Sequence, residues 1–405
     1  MGTATAGLAD RLARWATELD PTEDDLALAR RSLLDTLGVM FAARGDPLAP
    51  LFARLSGAGR WAALAHVLDY DDLHLPSTTH IGAVCVPVAL AASGEAPGAG
   101  DADAARAYLA GAGVMARLGA ALGWRHYSAG WHATCTAGAP AAAVTAAVAQ
   151  GLDADAAARA IALAIPAAGG VQRAFGTAAK SLQVAFAAEA GVRAAALAGA
   201  GATADPRALE DWIALVGGDP SDLVLDGPAV PGGLAIKPFP CCYALQRPIA
   251  AVRTLETKVA TADIRRITVR TPAASLAPLI HHDPATGLEG KFSLEYGIAA
   301  ALLDGDPGFD SFSDAAVQRP EAVRVARLVR AAASDDGGDH LLTGEVEIEI
   351  DTTDGAGVRA VLALPPGAPE RPMTDEQLRA KLALCGATEL AALTWESAAR
   401  WARSL

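Results

Sequence analysis

Apolar residues recur at helical spacing through the first half of the chain. In TEDDLALARRSLLDTLGVMFAAR, Leu26, Leu33, Leu34, Leu37 and Met40 fall three, four or seven residues apart. Asp20-Pro21 and a run of acids precede them, which suits a helix start with Pro21 near its first turn. The same pattern predicts helices over 102–123, 139–150, 154–164 and 178–197. Past Pro248 the period shortens. The stretches 262–270 (ADIRRITVR), 344–350 (GEVEIEI) and 357–364 (GVRAVLAL) alternate or carry β-branched residues and predict strands, while 293–303 and 321–333 predict helices. From 374 to 405 the pattern is helical again, with Trp395 and Trp401 as anchors that pack back on the first part.

These elements predict a mainly α fold. A large all-helical domain over 1–248, completed by 371–405, receives a smaller α/β (α+β) lid domain over 249–370 as an insertion, and its two crossings form a hinge. A length of 405 residues agrees, because one core seldom grows that large. The density of alanine implies helices that approach closely and are apolar nearly all round, as in a buried bundle.

Composition narrows the partners. Hydrophobic residues make up 52% and charged residues 20%, which excludes a disordered chain. A formal net charge of -13 argues against nucleic acid or an anionic membrane as partner, while leaving room for a local basic pocket that takes a small anion. The apolar runs are too short to span a bilayer. Asp10 and Arg11 stand where a secretory leader would need its apolar core. Five cysteines, odd in number and widely spaced, form neither a disulfide framework nor a metal signature. The expectation is a cytoplasmic protein.

Histidine is scarce, eight in the chain, and two pairs fall in LDYDDLHLPSTTH and GWRHYSAGWHATC. If the helix over 62–70 runs on to Asp72, Asp69 and Asp72 share a face and the following turn returns His80 toward them, so that an aspartate fixes a histidine tautomer. A capped, solvated turn is the other reading of the same residues. His132 precedes a helix starting near Thr134 or Thr136, where free N–H groups suit a carboxylate, and a purely structural histidine remains open there. Arg125 and His126 are nearby candidates for the same role, and a surface role suits them equally. Lys180 sits among small and apolar residues near a helix start, either snorkelling to water or serving as a partner for substrate charge. Lys237 is stiffened by Pro238 and Pro240 beside Cys241, Cys242, Tyr243 and Arg247. Of the two adjacent cysteines only one can face a pocket, and neither has an evident base partner. Lys291 and Tyr296 follow a turn and could close over a ligand from the second domain. No tightly spaced ligand pair supports a metal site.

Together the segments HVLDYDDLH with the later His (66–80), GWHAT (130–134), FGTAAKSLQ with AAEAGV (175–192), KPFPCCYAL (237–245) and GLEGKFSLEY (287–296) resemble the MmgE/PrpD family. Its members include 2-methylcitrate dehydratase, cis-aconitate decarboxylase and iminodisuccinate epimerase. The resemblance implies a helical domain with a smaller lid, a homodimer, an active site between the domains and no cofactor. It implies site roles for Asp69, His80, His132, Lys180, Lys237 and Tyr296, with the lysines neutralising carboxylates and a histidine moving the proton. Leu73 stands where the family commonly has Thr, Cys242 where some members have His, and the stretch before His66 is short.

The reading that follows is a dehydratase-like, cofactor-independent lyase acting on a small di- or tricarboxylate. An epimerase or isomerase of a substituted succinate, and a carboxylate-binding relative without catalysis, are the alternatives.

Overall fold

A computed structural model describes residues 6–93, 100–257, 259–334 and 343–405. Helices account for 58% of the structure and a four-stranded mixed sheet for most of the remaining regular elements. The fold is mainly α.

The first long helix runs Glu23–Ala43. Thr22 is its N-cap, accepting from the Asp25 N–H while the Asp25 carboxylate accepts from the Thr22 N–H. Pro21 therefore precedes the cap and lies outside the first turn. Leu33, Leu37 and Met40 are buried, but Leu26, in the first turn, is exposed. Packed against this helix are Gly57–Val67, Ile81–Ser93 and Asp101–Ser128, and on those pack Ala133–Ala149 and Ala179–Gly199, which also pack on each other. Close approach depends on missing side chains. A Cβ on Gly111 would lie 1.7 Å from Thr145 Oγ1, and one on Gly191 would lie 2.3 Å from the Ala142 Cβ. Each leucine or isoleucine buried in this core contributes about 1.5–3 kcal/mol.

Three expected boundaries move. The helix predicted over 102–123 continues to Ser128 across a kink at Gly123, whose φ of 65° only glycine adopts freely, so Arg125 and His126 are helical. The Gly57–Val67 helix stops before Leu68, and Asp69 turns left-handed with φ 53°, so Asp69 and Asp72 share no helical face. The helix predicted over 321–333 ends at Ala326, and Val329–Ser334 is a strand. Its alanines favour helix locally, but pairing with a neighbouring strand overrides that preference.

The strands are β1 (Ile264–Pro272), β2 (Val329–Ser334), β3 (Val346–Thr352) and β4 (Gly357–Leu362), in spatial order β2-β1-β3-β4. β2 runs parallel to β1; β3 and β4 are antiparallel to their neighbours. Ile267 opposes Ile350 and Val269 opposes Ile348, all four buried, while Arg270 faces Glu349 on the other side at 2.8 Å. The period of two read from the sequence is thus the pleat of a half-covered sheet.

Among the described residues two large apolar cores result, with two small clusters beside them. One joins the N-terminal helices to Trp395, Ala398 and Ala402 of the last helix; Trp395 packs on Tyr108 and Trp401 stacks on Phe41. The other joins the sheet to the helices Tyr243–Arg253 and Leu294–Asp304. Phe239, Leu245 and Ile249 belong to the second core, as does Phe175. Among the described residues, no helix is long and apolar enough to cross a membrane.

Candidate active site

Asp69 through Asp71, just past the end of the Gly57–Val67 helix, form the floor of a buried polar cluster. The left-handed Asp69 reverses the chain, so that Asp71 swings back beneath His66 of the preceding helix. Lys237 Nζ lies 2.7 Å from Asp69 Oδ1, and Lys180 Nζ lies 3.4 Å from the same oxygen. Burial alone would raise the Asp69 carboxyl, but Lys180 and then Lys237 hold it well below the usual carboxylate range. Burial likewise opposes charge on Lys237, and Asp69 and Asp71 outweigh it, raising its pKa.

Asp71 holds two histidines. Its Oδ2 accepts from His66 Nδ1 at 2.6 Å and lies 3.1 Å from His80 Nδ1. Burial would raise this carboxyl, yet His66 and His80 hold it well below its ordinary value. Lys180 donates to His66 Nε2 at 2.7 Å, so His66 carries its proton on Nδ1. Burial, helped by Lys180, lowers the His66 pKa to about 4. The backbone N–H of His80 donates to Thr134 Oγ1 at 3.1 Å, and burial lowers the pKa of its ring too.

His132 is the N-cap of the Ala133–Ala149 helix. Gln183 fixes its tautomer. The Gln183 Oε1 accepts from the Val171 N–H at 3.1 Å while its amide nitrogen donates to the Val171 carbonyl at 3.3 Å and to His132 Nδ1 at 2.6 Å. With both ends of that amide tied to one residue, His132 Nδ1 is an acceptor and its proton sits on Nε2. Burial and then Lys180 hold the ring well below its ordinary pKa.

Asp69, His80, His132 and Lys180 line one void of ≈ 20 Å³ together with Cys242, Tyr243 and Phe292. An adjoining void of ≈ 10 Å³ is lined by His66, Asp69, Lys180 and Lys291. Each has room for about one water molecule. The Tyr243 hydroxyl is buried there with no hydrogen-bond partner among the described residues. Burial pushes the Cys242 thiol up to about 12, so it is no thiolate, and Cys241 is turned toward Gln246.

Five of the six residues predicted for the site therefore meet in one cluster, with Lys237 joined through Asp69. Tyr296 does not join them. Its hydroxyl donates to the Ser311 carbonyl, and its ring lines a separate cavity of ≈ 450 Å³ beside His282 and Arg327. Nor does Asp72, which accepts from the Gly82 N–H at 2.9 Å and from Ser32 Oγ at 3.2 Å. His74 bonds Ser77 and the Pro231 carbonyl, and His126 bonds Thr136 and the Val216 carbonyl. Both are struts. Arg247 braces the second core through the Gly344 carbonyl and Ser275. His66 and Asp71 escaped the sequence reading, although both stand in the quoted HVLDYDDLH block.

The ligand atoms of His66, Asp71 and His80 lie within 4.8 Å of one another, a spacing a metal ion could bridge. Lys180 at 2.7 Å from His66 and Lys237 at 4.0 Å from Asp71 oppose a dication there.

Fold and site together define a mainly helical protein with a sealed carboxylate, imidazole and lysine cluster. Residues 52–215 match the model of the MmgE/PrpD N-terminal domain, and residues 239–400 match that of the MmgE/PrpD C-terminal domain. The chain belongs to the MmgE/PrpD family, whose members are generally enzymes of dehydratase-like or related function. No curated protein matches it.

Proposed function

We propose that this protein is a cofactor-independent lyase that eliminates water from a small di- or tricarboxylate. The observation carrying this reading is that two buried histidines with different ring partners line one void. His80 faces the Asp71 carboxylate through Nδ1 at 3.1 Å, which favours a proton there and a free lone pair at Nε2, whereas His132, whose Nδ1 meets the Gln183 amide, carries its proton at Nε2. One imidazole is set to take a proton and the other to give one.

In the proposed reaction His80 Nε2 removes the proton next to a substrate carboxylate. The C–H pair becomes the carbon–carbon double bond, the C–O bond breaks, and His132 protonates the departing hydroxide to give water; the proton gained by His80 then passes to the His132 imidazolate, returning both rings to their neutral forms. Lys180, Lys237 and Lys291, as ammonium groups, exceed Asp69 and Asp71 by one positive charge, which favours an anionic substrate and the charge that builds on its carboxylate in the transition state. Asp69 orients the lysines and Asp71 the histidines.

The voids are far too small for such a substrate, so the smaller domain expected over 249–370 has to open and close as a lid. A homodimer in the cytoplasm is the accompanying expectation. Tyr296 would reach the substrate only through that motion.

Two imidazoles facing one void also suit an epimerase that takes a proton from one face of a substituted succinate and returns it to the other. Incubation with substituted succinates and citrate analogues in heavy water, followed by NMR, separates the readings. An unsaturated product supports the lyase. Deuterium in recovered substrate with inverted configuration and no product favours the epimerase, and binding without exchange or turnover would sink both.

A further inference from the structure

Three consecutive backbone carbonyls of the site loop are each held by a buried lysine. Lys291 Nζ donates to the Leu68 carbonyl at 2.6 Å, Lys237 to that of Asp69 at 2.9 Å, and Lys381 to that of Tyr70 at 2.7 Å. Because the preceding helix stops at Val67, these carbonyls have no helical partners of their own, and the ammonium groups supply charge-assisted bonds instead. The three lysines come from distant parts of the chain. Lys237 precedes the Tyr243–Arg253 helix, Lys291 ends the short Gly287–Gly290 turn of helix, and Lys381 lies in the C-terminal Asp375–Leu384 helix.

Two of the three are neutralised. Lys237 pairs with Asp69 at 2.7 Å and Lys381 with Asp35 at 2.6 Å. Among the described residues Lys291 has no carboxylate within 4.0 Å, although it is only 5% exposed. A buried ammonium bonded only to a carbonyl lacks a counter-ion, and burying a charge in that state is costly. Burial draws the Lys291 pKa down to about 8, with Asp69 and Asp46 opposing, which leaves it largely charged at neutral pH.

Its position says what the missing anion would be. Lys291 borders the inner void beside His66, Asp69 and Lys180, and it also borders a wider cavity of ≈ 750 Å³. Gly176, Thr177 and Leu288 line both spaces as well, so Lys291 stands at the neck between them. We infer that Lys291 is a substrate-binding residue at this neck, its ammonium serving as counter-ion to a carboxylate that enters through the wider cavity. The inference rests on the polycarboxylate reading above. A substrate carboxylate paired with Lys291 would leave the remainder of the molecule facing Lys180 and the histidines. The bond to Leu68 would keep Asp69 in place meanwhile.

The test compares wild type with Lys291→Met, which keeps the bulk, and Lys291→Ala, which leaves room for an added amine. Calorimetric titration with citrate and tricarballylate is run for each protein with and without ethylammonium, alongside turnover of the same acid panel. Thermal melting checks folding. Affinity should fall about 10–100-fold in both variants, and ethylammonium should restore it in Lys291→Ala alone. Wild-type affinity in Lys291→Met overturns the assignment, as does a loss in Lys291→Ala that ethylammonium leaves untouched. If wild type turns over an acid while the Met variant keeps its affinity, only the Lys291 assignment fails. If wild type neither binds nor turns over any of the acids, the polycarboxylate reading fails and takes the assignment with it.

Discussion

Lys237 grips Asp69 twice, donating to its carboxylate at 2.7 Å and to its backbone carbonyl at 2.9 Å, with the lysine fully buried. A bond to both ends of one residue fixes its side chain and its backbone together, which is how a non-glycine residue persists at a φ of 53°. Lys237→Met should therefore strand the Asp69 carboxylate with Lys180 alone, at a cost of roughly 3–5 kcal/mol of folding stability. The double variant with Asp69→Asn should recover part of that loss. Urea denaturation measures both; a single variant within about 1 kcal/mol of wild type contradicts the pairing.

Asp71 Oδ2 accepts from His66 Nδ1 at 2.6 Å and lies 3.1 Å from His80 Nδ1. In Asp71→Asn a neutral amide replaces the charge that accepts the His66 Nδ1 proton and faces His80 Nδ1, so the His80 tautomer with a free Nε2 is no longer favoured. Turnover of the identified substrate should drop by roughly 10²–10⁴ in kcat. KM should change little, because Asp71 does not line the voids. A variant with unchanged kcat would show that Asp71 serves the fold only.

Asp72 lies outside the site cluster and makes a different prediction. Burial, reinforced by Asp35, pushes its carboxyl up to about 8, far above the ordinary carboxyl value. The folded protein thus keeps this proton up to about pH 8, whereas the unfolded chain releases it near pH 4. Between those limits the folded state binds more protons, so this contribution is complete below about pH 4 and declines as pH rises. His66 and His74, both lowered to about 4, act in the opposite sense, but only between about pH 4 and 6.5. From pH 6.5 to 8 wild type should lose stability relative to Asp72→Asn, by at most about 2 kcal/mol. Urea midpoints at the two pH values test the slope, and parallel curves for the two proteins would rule it out.

Much of the fold was legible because packing and pattern agree. The alternation in GEVEIEI became β3, and the alanine-rich runs became helices whose small residues touch. The RAAA stretch after Val329 misled, since alanine carries no sign of the parallel neighbour that makes it β2. In the site, Asp69, His80, His132, Lys180 and Lys237 could be read from short motifs. His66 and Asp71 could not, because their contact depends on a helix ending at Val67 and a left-handed aspartate, and neither follows from residue preferences. Tyr296 was placed in the site by its motif, but its hydroxyl bonds the Ser311 carbonyl in the second core.

The tautomers of His80 and His132 make their variants distinguishable. His80→Gln removes the proposed base, so both turnover and exchange of the substrate proton with heavy water should fall by about 10²–10⁴. His132→Gln removes the proposed acid and leaves the base in place. Departure of hydroxide then lacks a proton donor, so elimination should fall by a similar factor while His80 still removes and returns the substrate proton. Deuterium should accumulate in recovered substrate faster than product forms, a ratio that wild type does not reach. Gln183→Leu offers a milder version of the same test, because the His132 ring loses the amide that holds Nδ1 as acceptor and its proton can move between the two nitrogens. Its exchange-to-elimination ratio should lie between wild type and His132→Gln. If His132→Gln instead lost exchange and elimination in equal measure, His132 would share in removing the proton and the division of labour would have to be reversed. Full activity in both histidine variants would remove proton transfer from this cluster altogether.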